Sequence, residues 1–151
     1  MKRGFSFIEV IVIVSILAIL LVIALISFRS SPDKKLILEN IVNQFKEDIR
    51  FVRQRAIINK TTWTLSLIPS STSTYTTYTS YTFLDDKNKT VLRTLTNLDQ
   101  VTSTATLFSF DKDGIFTGDA LETSATLTFQ IETYSATIRI NPMGYIEVTG
   151  L

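Results

Sequence analysis

The first group able to do chemistry is a lone carboxylate in apolar surroundings. Glu9 is the one charged residue of the run from Phe7 to Phe28. An acid held in such a segment costs roughly 2.5–3.5 kcal/mol near a helix centre on insertion scales. Glu9 lies near one end, where the cost is smaller, but it still calls for a cationic partner. Lys2 and Arg3 stand just ahead of it, followed by Gly4 and Phe5. A second group of acids, Asp111 and Asp113 before Gly114, matches the opening of a calcium loop. A complete loop needs further oxygen ligands and a final glutamate at fixed offsets. Gly118 and Asp119 come too early for that and Glu122 is out of register, so a turn is the stronger reading. Asp85, Asp86 and Asn88 read likewise as a solvated hairpin tip. The chain has no cysteine and no histidine. That excludes disulfides, the usual Cys/His zinc sites and histidine acid–base catalysis. No nucleophile motif or paired-carboxylate spacing stands out. No catalytic residue, no metal-ligand set and no cofactor is expected.

The elements that position Glu9 follow from hydrophobic patterning. The run from Phe7 to Phe28 is too long for a secretory signal peptide, whose apolar region is about 7–15 residues. Leu25 and Ile26 also spoil the small-residue pattern of a cleavage site around Ala24 and Ser27. A plain membrane anchor explains the length, since about 20 apolar residues span a bilayer core. It leaves Gly4, Phe5 and Glu9 together unexplained. Lys2 and Arg3 put the N-terminus on the cytoplasmic side by the positive-inside rule, with the rest of the chain outside.

Ser31, Pro32 and Asp33 read as an N-cap with proline in the first turn, leaving open whether a helix restarts or continues kinked. From Leu36 to about Asn59, the apolar positions Leu38, Ile41, Val42, Phe45, Ile49, Val52 and Ala56 recur at three- and four-residue spacing. That is one face of an amphipathic helix. With the apolar run it would make a helix or near-helix of roughly 75 Å at 1.5 Å per residue.

Beyond Thr61 the period changes to two. Strands are expected at Trp63–Leu67, Tyr78–Phe83, Val91–Leu95, Thr106–Phe110, Ala125–Ile131, Ala136–Ile140 and Tyr145–Val148. Turn-forming residues separate them at Asp85–Lys89, Asp111–Gly114, Thr117–Asp119 and Asn141–Gly144. The Ser/Thr/Tyr-rich stretch from Pro69 to Thr82 favours an extended hairpin over disorder. The expected fold class is therefore α+β: a long N-terminal helix, half membrane and half amphipathic, on an antiparallel β-sheet or small β-sandwich. The expected divisions are 1–4, 5–28, 29–60 and 61–151.

The opening Met1 to Glu9 resembles the class III signal of type IV prepilins. Two further stretches are similar to the GspH/FimT group of minor pseudopilins and minor pilins. One is Arg53-Gln-Arg-Ala-Ile-Ile-Asn-Lys-Thr-Thr-Trp-Thr-Leu; the other is Phe108-Ser-Phe-Asp-Lys-Asp-Gly-Ile-Phe with Ile138-Arg-Ile-Asn-Pro-Met-Gly-Tyr-Ile-Glu-Val. The resemblance implies a leader of residues 1–4, carrying Lys2 and Arg3, and cleavage between Gly4 and Phe5 by a prepilin peptidase. It also implies N-methylation of Phe5 and pairing of Glu9 with a neighbouring subunit's N-terminal amine. Gly114 and Gly144 fall on the group's two turn glycines, where a positive φ suits glycine alone.

The implied function is a minor pilin or pseudopilin, not an enzyme. The implied partners are the peptidase, other pilins or pseudopilins, and inner-membrane lipid before assembly into a type IV pilus or type II secretion pseudopilus. The alternatives are a DNA-uptake minor pilin and a pilus-borne adhesive head, with Tyr75, Tyr78 and Tyr81 as contact candidates. DNA is not favoured. DNA-linked members carry basic residues after the C-terminal glycine, where this chain has Tyr145, Ile146 and Glu147. Charge is uneven: residues 29–60 hold eight basic and four acidic side chains, and residues 61–151 hold five basic and nine acidic. A basic stem and an acidic head suit packing between subunits at least as well as an outside ligand.

Overall fold

The computed structural model describes residues 7–29, 33–70, 77–119 and 124–150, with residues 24–29 given by backbone alone. Lys2, Arg3, Gly4, Phe5, Ser31, Pro32, Tyr75 and Glu122 lie outside the described residues. The chain divides into two compact units, Met1–Asp33 and Lys34–Leu151.

The first unit contains α1, Phe7–Arg29. Its residues are aliphatic on every side, so no polar face directs it onto a globular core. All its described side chains, Phe7 to Ile23, are exposed. Ser15 donates its hydroxyl to the Ile11 carbonyl at 2.8 Å, which satisfies it within the helix's own backbone.

The second unit opens with α2, Lys34–Asn59. It begins two residues later than a Ser31 cap implies, directly after Asp33, itself a favoured capping residue. Leu38, Val42, Phe45, Ile49, Val52 and Ala56 are buried along one stripe, as the spacing predicts, while Ile41 is only half-buried. Lys60 at φ 54° reverses the chain, and the Thr61 amide donates to the Ala56 carbonyl at 3.3 Å, closing the helix end.

Eight strands follow: β1 Trp63–Pro69, β2 Tyr78–Leu84, β3 Thr90–Thr94, β4 Gln100–Ser103, β5 Leu107–Phe110, β6 Ala125–Ile131, β7 Tyr134–Ile140 and β8 Ile146–Thr149. They form two antiparallel four-stranded sheets, ordered β3-β2-β1-β5 and β4-β6-β7-β8. The buried stripe of α2 packs on β1, β5, β6 and β7, so one helix serves both sheets. Phe45 stands at their meeting point, edge-to-face with Tyr81 at 4.9 Å, Phe129 at 5.5 Å and Phe108 at 5.9 Å.

β6 alternates strictly, with Ala125, Leu127, Phe129 and Ile131 buried and the residues between them turned outward. The strand β4 is absent from the sequence expectations. Val101 is its one large apolar residue, too little for a period, and the ladder to β6 creates it by pairing Val101 with Phe129. The hairpin expected around Pro69–Thr82 is present at its base, where the Ser70 amide donates to the Thr77 carbonyl at 2.7 Å.

Candidate functional sites on the N-terminal helix and the head

Glu9 lies in the first turn of α1, exposed, and among the described residues no ion pair reaches it. The bare amides of a helix N-terminus favour an acid there, which accounts for its helix preference but supplies no full positive charge. Among the described residues no helix is long and apolar enough to cross a membrane. The described side chains of α1 stop at Ile23, although its backbone is helical to Arg29.

In the second unit the two turn glycines, thirty positions apart in sequence, meet in space. The turns share one design. The Asp111 carboxylate accepts the amides of Asp113 and Ile115, both at 2.9 Å, and the Asp111 carbonyl accepts the Gly114 amide at 2.9 Å. Asn141 repeats this with Tyr145 and Gly144, both at 2.9 Å. Asp85 repeats it with Lys87 and Lys89, both at 2.8 Å, using Asn88 at φ 56° where the other turns use glycine. Those amides hold the Asp85 carboxyl below its ordinary value. Asp111 and Asp113 thus sit in a backbone turn, and among the described residues no acidic cluster could hold a metal.

Gly114 and Gly144 have φ of 76° and 75°. A Cβ at Gly144 would run into the Gly114 carbonyl oxygen and stand 2.8 Å from Arg53 Nε. A Cβ at Gly114 would meet the Ile57 side chain at 2.7 Å. Arg53 of α2 ties both turns down. Its Nε donates to the Gly114 carbonyl and its Nη2 to the Met143 carbonyl, each at 3.0 Å, and its guanidinium lies 5.4 Å from the Tyr145 ring centre. The Phe116 amide adds a bond to the Pro142 carbonyl at 3.0 Å. This role of Arg53 is not legible beforehand. Its one trace is position: it follows buried Val52 and precedes buried Ala56 by three, at the border of the apolar stripe.

A second set of polar contacts ties α2 to the first sheet. The Tyr81 hydroxyl donates to Asp48 Oδ2 at 2.7 Å, and Arg93 Nε stands 3.5 Å from the same oxygen. Burial pushes the Tyr81 phenol far up, and the bond to Asp48 and its charge add to this against a smaller opposing effect of Arg93. Arg55 pairs with Asp86 and stacks 5.2 Å from the Phe51 ring centre.

Tyr78 and Tyr81 are not the surface contacts expected of an adhesive head. They are 4% and 2% exposed. Opposite Ile68 stands Ser80, and opposite Pro69 stands Tyr78, so Thr79 is an extra residue. That bulge shifts the alternation and turns both tyrosines inward.

The comparisons with known proteins agree on fold and family. The prokaryotic N-terminal methylation motif matches residues 1–25. The crystal structure of the type IV minor pilin FimU from Pseudomonas aeruginosa, strain PAO1, superposes with a TM-score of 0.56 at 8% identity. The match covers 74% of this chain and 87% of that one, and at this identity it shows a shared pilin-like α+β fold. Among curated proteins none matches the chain. The family described as Type II transport protein GspH matches residues 42–144, a span that holds Arg53, Gly114 and Gly144. With more than half of its length so matched, the chain belongs to the GspH family of minor pseudopilins and minor pilins.

Proposed function

We propose that this chain is a prepilin peptidase substrate that becomes a minor subunit of a type IV pilus or type II secretion pseudopilus. The observation that carries the reading is α1 itself: 23 helical residues, with Glu9 the one charge between Phe7 and Phe28, most of them inside the methylation motif matched over residues 1–25. Counted along its whole backbone to Arg29, beyond the described side chains that end at Ile23, α1 is roughly 35 Å long at 1.5 Å per residue, against a bilayer core of about 30 Å. An all-apolar helix needs either lipid or other helices around it. The proposed sequence is a single pass through the cytoplasmic membrane, N-terminus inside and head outside. Cleavage between Gly4 and Phe5 and methylation of Phe5 follow, and then packing of α1 among the helices of neighbouring subunits. Glu9 would pair there with a neighbour's N-terminal amine, a contact better suited to fixing register than to adding stability.

A DNA-binding head is the weaker reading. Arg53 already donates to two carbonyls and Arg93 faces Asp48, while Tyr145, Ile146 and Glu147 follow Gly144. Phosphate binding needs several uncommitted cations together.

Intact-mass spectrometry of the chain expressed with and without a prepilin peptidase tests the first step. Loss of residues 1–4 plus the mass of one methyl group is expected; an unchanged N-terminus beside a processed control pilin would end the proposal. For the second step, Glu9→Ala is expected to stay in the membrane and to drop from sheared filaments by about tenfold or more, equivalent to about 1.4 kcal/mol. Normal incorporation would remove Glu9 from the mechanism.

A further inference from the structure

We propose that the recess where α2 hands over to β1 binds an uncharged hexose or N-acetylhexosamine unit of a glycan. The recess has a volume of about 460 Å³, within the usual range for small-ligand sites. The chain reversal at Lys60 brings the end of α2 beside the start of β1, and the turn after β2 supplies the opposite wall. Trp63, Asn59, Thr62, Leu84 and Asn88 line it, and no lining side chain carries a charge.

Three properties give the site its chemistry. Trp63 is half-buried, and its indole N–H donates to Thr61 Oγ1 at 3.2 Å, which fixes the ring. A pyranose offers a face of C–H groups that packs on an aromatic ring, with hydroxyls around its rim for amide and hydroxyl partners. The carboxamides of Asn59 and Asn88 and the hydroxyl of Thr62 are bound to no other group among the described residues. Asn88 is carried at φ 56° by the Asp85 turn, which fixes the backbone from which its carboxamide projects. A neutral lining with uncommitted donors and acceptors suits a neutral polar ring better than a phosphate or carboxylate, which would meet no cation among the lining residues. Lys60, Lys87 and Lys89 neighbour the recess in sequence but do not line it.

Trp63 is the one tryptophan of the chain, so its fluorescence reports this site alone. The test titrates the full chain, in micelles of a detergent without a sugar headgroup, with glucose, mannose, galactose and N-acetylglucosamine. At least one is expected to shift the emission saturably with a Kd of about 1–10 mM, a typical weak-binding range. The shift is expected to be unaltered by added salt and weakened at least about tenfold in Asn88→Gly, which keeps the positive φ, and in Asn59→Ala. Far-UV circular dichroism establishes that both variants are folded, and Thr62→Ala replaces either one that is not. Absence of a response to all four sugars overturns the proposal. So does a response that survives unchanged in the folded variants. A salt-sensitive response to oligothymidylate with none to sugars overturns it too, and assigns the recess to nucleic acid through the flanking lysines.

Discussion

At the scale of single residues, the head depends on glycines where an added side chain would collide, among them the facing pair Gly114 and Gly144. Gly144 is the stricter one, because its missing Cβ would strike the backbone oxygen of Gly114, which Arg53 holds in place. At Gly114 the obstacles are the ends of two flexible side chains, Ile57 and Arg53. Both positions also need a left-handed backbone, so alanine carries a conformational cost at each. Gly144→Ala should therefore destabilise by about 2–4 kcal/mol and Gly114→Ala by clearly less. Urea unfolding read by circular dichroism measures both. Equal costs would mean that the close approach of the two turns adds nothing beyond φ. The glycines themselves are visible in the sequence because turn residues surround them. Their contact with each other is not, since it is made by Arg53 reaching from a helix more than sixty positions before Gly114.

At the scale of elements, α2 is the keystone, and its role is the most legible part of the fold. The three- and four-residue spacing from Leu38 to Ala56 marks the buried stripe, and period two marks most strands. What the spacing hides is that one helix covers two sheets, because sheet membership depends on pairings between distant strands. The strand β4 and the bulge at Thr79 are hidden for the same reason, each existing only against its partner strand. Phe45 touches rings from both sheets, so Phe45→Ala should cost about 3–5 kcal/mol. Phe51→Ala should cost less than half of that, since Phe51 is half-buried and meets Phe83 at 5.9 Å at the margin. A reversed order in denaturant unfolding would remove Phe45 from the centre. The Tyr81–Asp48 link between α2 and β2 gives a pH signature. The folded state raises the tyrosine's pKa, so the protonated link contributes its full stability below the ordinary value of 10.0 and loses it as pH rises above that. Wild type should lose stability above pH 10 more steeply than Tyr81→Phe; parallel curves would show that the buried phenol is not the titrating group.

At the scale of the whole molecule, the core that gives stability and the helix proposed to drive assembly are different stretches of chain. The hydrophobic core, from Leu38 to Ile140, lies entirely within the second unit. α1 has its described aliphatic side chains exposed, with nothing in its own sequence to make it a folded domain. Under the proposed function, a chain built this way would keep its head folded while its N-terminal helix exchanged lipid for neighbouring helices. The expectation that follows is that residues 34–151 alone form a soluble fragment with a cooperative urea transition. Its midpoint should match that of the full chain in micelles, because the same buried contacts unfold in both. Glu9→Ala in the full chain should leave that midpoint where it is while incorporation falls, since Glu9 lies outside the core. A fragment that is soluble but lacks a cooperative transition would show that the head needs its anchor to fold. A midpoint lowered by Glu9→Ala would tie the carboxylate to the stability of the head, and its loss from filaments would then no longer report a contact between subunits.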